Sequence, residues 1–177
     1  VLFTLASARS HFSISQLFGD LPLTLPIIEF NGAFLTDYAS GEHLEINSLK
    51  TELAHEIFDQ IKQSGQTPFV STYNGTEDCL HYDALINPGM VWYESRRRKA
   101  EDPRLRQTRD LRGTMSEHVV SLTVMDKDKR AIRGLHDRLA EQYGSRLQLY
   151  CYENEYSKGT WWLTIHDERA SKHIALR

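Results

Sequence analysis

Residues 1–11 read VLFTLASARSH. The apolar run Val1–Leu5 gives way to small and polar residues at Ala6, Ser7, Ala8, Arg9 and Ser10. A buried strand that ends in a hydroxyl, a tiny residue and an arginine has the composition of the C-terminal edge of an α/β sheet, where such folds bind their ligands. The strand is entered with no initiator Met and no polar lead-in, so a neighbouring strand is expected to precede Val1.

Strands and helices alternate onward from this edge. Ile14–Phe18 sits in a short helix ending near Gly19, and Pro26–Phe30 reads as a second apolar strand stopped by Asn31-Gly32. Ala33–Tyr38 and His43–Ile46 flank the turn sequence ASGE and read as a hairpin. Ser48 is expected to cap a helix whose apolar residues Leu49, Leu53, Ile57 and Ile61 recur every four positions before Gly65. Pro68–Tyr73 and Leu80–Leu85 form a second hairpin around Asn74-Gly75. A helix follows at Met90–Lys99, then an irregular basic stretch to Arg112. Val119–Met125 is a strand and Lys127–Tyr143 a helix with Ile132, Leu135 and Leu139 on one face. Leu147, Leu149 and Cys151 alternate inward, Thr160–Ile165 is the last strand, and Ala170–Arg177 opens a helix.

A chain of 177 residues, 40% hydrophobic and 25% charged, can bury a core as a soluble protein and holds no run long enough to span a membrane. Its net charge of −3 argues against a protein built wholly for nucleic acid. Cys79 and Cys151 make neither a disulfide framework nor a metal motif, and reduced thiols fit a cytoplasmic protein. The chain enters on a strand and leaves on an unfinished helix, so both ends are expected to be cut.

LASAR at residues 5–9 resembles the second motif of the haloacid dehalogenase-like hydrolases, in particular the Cof-like phosphatases, where an apolar strand leads into Thr-Gly-Arg. PIIEFNGAFLTDYASGEHL at residues 26–44 resembles that family's next core strand, its Asn-Gly junction and the first hairpin of an inserted cap. LTIHDERASKHIALR at residues 163–177 resembles the third motif, in which a lysine opens a helix after the cap returns. The resemblance implies an α/β fold: a partial Rossmann-like core, residues 1–31 and 167–177, around a large α/β cap at residues 32–166.

It also implies a phosphatase that hydrolyses a small phosphomonoester, such as a sugar phosphate, nucleotide or cofactor phosphate, through a phosphoaspartyl intermediate. Such catalysis consists of positioning and charge neutralisation around the phosphoryl oxygens. Ser7 would donate its hydroxyl to one oxygen, helped by the N–H groups of Ala8, Arg9 and the helix behind them. Lys172 would bring a compact ammonium charge. Asn31 and Gly32 would lie at the site mouth. Arg9 would touch substrate or pair across the hinge between core and cap. Mg²⁺ would be the cofactor, with its ligands and the nucleophilic aspartate outside residues 1–177, so this stretch alone is expected to be inactive. Ala8 in place of glycine, Ser7 in place of threonine and His173 after the lysine depart from the family pattern.

One rival reading rests on the eight basic residues between Arg96 and Arg112, with Trp92 and Tyr93 beside them. They could bind nucleic acid. Glu94, Glu101, Asp102 and Asp110 interrupt the run, which favours a solvated face, or arginines such as Arg104, Arg106 and Arg109 that hold a second acidic group of the substrate. A phosphomutase of the same superfamily is a further alternative. His166-Asp167 reads as a structural pair at a strand end.

Overall fold

The computed structural model describes residues 2–176. β1 (Ile27–Glu29), β2 (Phe34–Thr36) and β3 (His43–Ile46) form an antiparallel three-stranded sheet in that order. β4 (Phe69–Tyr73), β5 (Asp78–Tyr82), β6 (Leu105–Gln107), β7 (His118–Asp126), β8 (Leu147–Glu153) and β9 (Trp161–Asp167) build a second sheet. Its order is β6-β5-β4-β7-β9-β8, antiparallel except for the β5–β6 pair. The protein is therefore α/β, with a central mixed sheet and helices against it.

Period-two alternation assigns the two faces of the large sheet. Val70, Leu122, Val124, Leu163 and Ile165 point to one side and are covered by α2 (Thr51–Gln63) and α4 (Lys129–Tyr143). On α2 the buried residues Leu53, Ala54, Ile57, Phe58 and Ile61 keep helical spacing. Phe69, Leu80, Tyr82, Met125 and Trp162 point to the other side, where α3 (Pro88–Lys99) covers part of the sheet through Met90, Trp92 and Tyr93. The rest of that face looks toward α1 (His11–Phe18) and the loop before it.

The two sheets are joined by packing and by polar contacts. Ala33, Phe34, Val120 and Ala170 make one small core that spans both. His43 of β3 stacks on Phe34 with ring centroids 3.8 Å apart, and its Nε2 lies 2.9 Å from Asp78 Oδ1 of β5. Burial pushes the Glu29 carboxyl up, and the Thr36 hydroxyl and His43 partly offset that.

Several expectations change. Leu2 and Phe3 are 76% and 51% exposed within this chain and lie outside any strand; among the described residues the pairing at this end is one parallel bridge, Ala6 to Ile28. Val1 and Arg177 lie outside the described residues, and α5 covers Lys172–Ala175. Ser48 caps nothing: its Oγ faces His118 Nδ1, Leu49 N donates to Val119 O, and α2 starts two residues later. α3 begins earlier than its apolar spacing says, because Asn87 accepts from Met90 N and Pro88 takes the first turn. The basic stretch is not wholly irregular, since β6 lies inside it. The hairpin of β2 and β3 hydrogen-bonds to β1, which places residues 34–46 beside the strand at 27–29 and not in the large sheet.

Candidate active site

Three segments converge on the turn after β1. Ser7 N donates to Ile28 O at 2.8 Å and Asn31 N to Ser7 O at 2.9 Å, which fastens the strand-end loop to the 3-10 turn Phe30–Gly32. Asn31 sits in the left-handed region at φ 61°, which asparagine tolerates better than most residues. Gly32 has φ 110°, and a Cβ built there would stand 2.7 Å from the N, C and O atoms of Ser171. Glycine alone lets the turn reach the backbone that leads into α5. Ser7, Asn31, Gly32 and Lys172 thus share one neighbourhood through their backbones, and the Lys172 side chain is exposed.

Ser7 Oγ accepts a hydrogen bond from Arg9 N at 3.1 Å, which leaves the hydroxyl proton free to donate. The helix behind it offers less than expected. His11 N donates to the buried Glu29 carboxylate, Ser13 N to the capping Ser10 hydroxyl, and Ile14 N to Ser10 O. The opening N–H groups of α1 at His11 and Ser13 are thereby committed to the protein.

His166, set aside in the sequence as structural, holds Asn31 in place. It is 1% exposed, its Nδ1 lies 2.8 Å from Val120 O, and its Nε2 lies 3.4 Å from Asn31 Nδ2. The geometry assigns a neutral ring that donates to the carbonyl and accepts from the amide. Burial pushes the ring pKa down from 6.5 to about 4, partly opposed by the Val120 bond. Between these values the unfolded chain binds a proton that the folded one refuses, so stability is full above pH 6.5 and falls toward pH 4. The loss attributable to His166 is about 3 kcal/mol. Urea midpoints measured across this window should therefore fall less steeply in His166→Gln than in the parent. The raised Glu29 carboxyl works with the opposite sign, and the paired comparison removes it.

A cleft of about 710 Å³ opens between the loop Ala8–Ser10 with α1 on one side and α3 with the β8–β9 loop on the other. Trp92, Tyr93, Tyr152 and Trp162 give it aromatic walls, and Arg96 and Arg97 give it charge. Two contacts cross it: Arg9 Nη2 to Tyr156 Oη at 3.3 Å and Arg97 Nη1 to Ser13 Oγ at 3.0 Å. Arg9 therefore pairs across the two layers. Arg97 Nε and Trp162 Nε1, both donors, are buried without an acceptor, and both residues line the cleft. An unpaired buried donor costs about 1–3 kcal/mol, and both of these sit inside the walls of the cleft and not on its open surface. Of the residues expected to bind phosphate, Ala8 and Arg9 line this cleft and Ser7, Asn31, Gly32 and Lys172 are not among its walls; Trp92, Tyr93 and Arg104 from the basic stretch line it as well.

The basic stretch does not form one cationic face. Arg98 pairs with Glu94, Arg106 with Glu77 and Arg112 with Asp59. Arg104 grips Asp102 with two bonds of 2.9 and 2.7 Å; burial opposes ionisation of that carboxyl, and the Arg104 fork overrides it and holds the pKa low. Arg97 also pairs with Asp102, Nη1 to Oδ2 at 3.6 Å, so Arg96, stacked over Trp92 at 5.3 Å, and Arg9 face the cleft beside the partly neutralised Arg97 and Arg104. Among the described residues, the one cluster of three His, Cys, Asp or Glu ligands is Cys79, His81 and Glu117, away from this region. The residues around Ser7 and Lys172 therefore do not by themselves make an oxygen-rich magnesium site.

The family of haloacid dehalogenase-like hydrolases matches residues 1–177, and the chain belongs to it. No curated protein matches the chain. Among solved structures, a haloacid dehalogenase-like hydrolase from Bacteroides thetaiotaomicron is 17% identical with a TM-score of 0.68, over 98% of this chain and 60% of its own. One from B. subtilis is 14% identical with a TM-score of 0.71, over 99% and 65%. A phosphatase of the same superfamily, also from Bacteroides thetaiotaomicron, is 11% identical with a TM-score of 0.64, over 99% and 57%. The likeness is one of fold. The chain spans about 60% of the length of these proteins. No helix among the described residues is long and apolar enough to cross a membrane.

Proposed function

We propose that the protein is a Mg²⁺-dependent phosphatase of the cytoplasm that hydrolyses a small phosphomonoester. In this reading residues 32–166 act as a cap over core pieces at 1–31 and 167–177. The observation that carries it is the cleft with its aromatic walls and arginines, set beside the turn that gathers Ser7, Gly32 and the start of α5. Ser7 donates its free proton to a phosphoryl oxygen, and Lys172 neutralises charge that builds on that group. The cleft holds the leaving group, with its oxygens on the Arg96 and Arg97 guanidinium groups and its flat or apolar part against Trp92 and Tyr93. Mg²⁺, when bound, would neutralise and orient the phosphate. We assign neither the nucleophile nor a magnesium ligand to residues 1–177.

Phosphate release from a panel of sugar, nucleotide and cofactor phosphates by the full-length protein tests the reading. Turnover should require Mg²⁺; absence of any turnover, or turnover indifferent to chelators, would overturn it. The cleft makes a sharper demand. Replacing Arg96 and Arg97 with Ala should raise KM about 10- to 100-fold for a substrate whose leaving group carries its own anionic or oxygen-rich part, the loss of one or two charged hydrogen bonds. A minimal phosphoester should be affected far less. An equal effect on both substrates would leave these arginines as braces of the Ser13 contact.

A further inference from the structure

Cys79 and His81 alternate with Leu80 and Tyr82 on β5. Leu80 and Tyr82 pack toward α3, so Cys79 and His81 point to the opposite face of the sheet, away from the cleft. There they meet Glu117, the residue before β7. Cys79 Sγ, a His81 ring nitrogen and a Glu117 carboxylate oxygen all lie within 4.8 Å of one another. His81 Nε2 stands 3.3 Å from Glu117 Oε2. Two ligands at about 2.0–2.1 Å from a tetrahedral ion are about 3.3–3.4 Å apart, so nitrogen and oxygen already have the required spacing. The sulfur lies within 4.8 Å of both, within reach of a small side-chain rotation.

We propose that Cys79, His81 and Glu117 form a zinc site of three protein ligands and one open position. Thiolate, imidazole and carboxylate together select a divalent ion of borderline softness over magnesium or calcium. Thr72 Oγ1 donates to Glu117 Oε2 and accepts from His81 Nε2 at 3.1 Å, so the ring carries its proton on Nε2 before an ion binds; Asn74 Nδ2 donates to Cys79 Sγ at 3.8 Å. On binding, Cys79 gives its proton to solvent and the His81 ring exchanges its Nε2 proton for one on Nδ1, which frees Nε2 beside the Glu117 carboxylate. The ion ties the β4–β5 hairpin to the turn that enters β7.

Cobalt(II), added to the full-length protein with magnesium in excess, reads the site directly. The expected result is one equivalent of cobalt bound, with the near-ultraviolet sulfur-to-cobalt charge-transfer absorption, displaced by zinc. Cys79→Ser should abolish that absorption, and Cys151→Ser should keep it. Glu117→Gln, at a partly exposed position that leaves the fold intact, should weaken cobalt binding at least about tenfold. Absence of the absorption in the parent protein, its survival in Cys79→Ser, or unchanged affinity in Glu117→Gln would overturn the proposal.

Discussion

Lys172→Ala should lower kcat of the full-length protein by at least about a hundredfold, the cost of removing one preorganised charge-stabilising group. The side chain is exposed at the start of α5, next to Ser171, whose backbone is in contact with Gly32. An ammonium there is free to meet charge that develops on a phosphoryl group, so its loss falls on the transition state more than on substrate binding. KM should move little. Lys172→Arg should recover little, because a planar guanidinium does not occupy the position of a compact ammonium. Thermal midpoints should stay close to the parent's, since the side chain is not part of a core. Steady-state kinetics with circular dichroism on the same samples decides it: near-normal kcat in a folded Lys172→Ala protein would make this lysine an ordinary surface residue.

Gly32→Ala should do two kinds of damage at once. At φ 110° an L side chain is strained, and its Cβ would need the space 2.7 Å from Ser171 backbone atoms. Strain of this kind costs about 1–3 kcal/mol before the clash is counted, so a loss of roughly 2–4 kcal/mol is expected in urea unfolding. The backbone relieves the clash by moving the start of α5 away from the turn, which carries Lys172 with it. A kcat drop of about tenfold or more should therefore accompany the lost stability. Gly32 bears no side chain to touch substrate, so the drop reports the displacement alone. In a Lys172→Ala background the same substitution should cost stability as before but little further activity. Equal losses of activity in both backgrounds would separate the glycine from the lysine.

Patterns that depend on neighbours in sequence were readable from the chain. The four-residue spacing of Leu53, Ile57 and Ile61 gave α2, and the turns ASGE and Asn74-Gly75 gave their hairpins. Features decided by distant partners were not. Leu2 and Phe3 have the composition of a core strand, but composition does not say what covers them. β6 is three residues long, sits at a sheet edge among arginines, and exists because β5 pairs with it. The hydroxyl of Ser48 reads as a cap until His118 is brought beside it.

The site divides along the same line. The strand-end loop and the Asn31-Gly32 turn were visible as local motifs. The contact of Gly32 with Ser171 and the bond of Asn31 to His166 join parts of the chain that only folding brings together. The arginines first considered for a second substrate group were Arg104, Arg106 and Arg109. Arg104 is consumed by Asp102 two residues before it, a pairing that the sequence EDPR already contains. Arg97 and Trp162, the donors left without acceptors, come from α3 and β9, and no sequence spacing marks them as partners.

The central claim is that Ser7 and Lys172, from opposite ends of this chain, act on one phosphoryl group. A double-mutant cycle on kcat with Ser7→Ala, Lys172→Ala and the pair, in the full-length protein with saturating Mg²⁺, measures this most directly. The account predicts that each single change is costly and that the pair costs much less than the product of the two, because both serve the same charge. Fully multiplicative losses, or a Ser7→Ala enzyme with parental kcat, would contradict it.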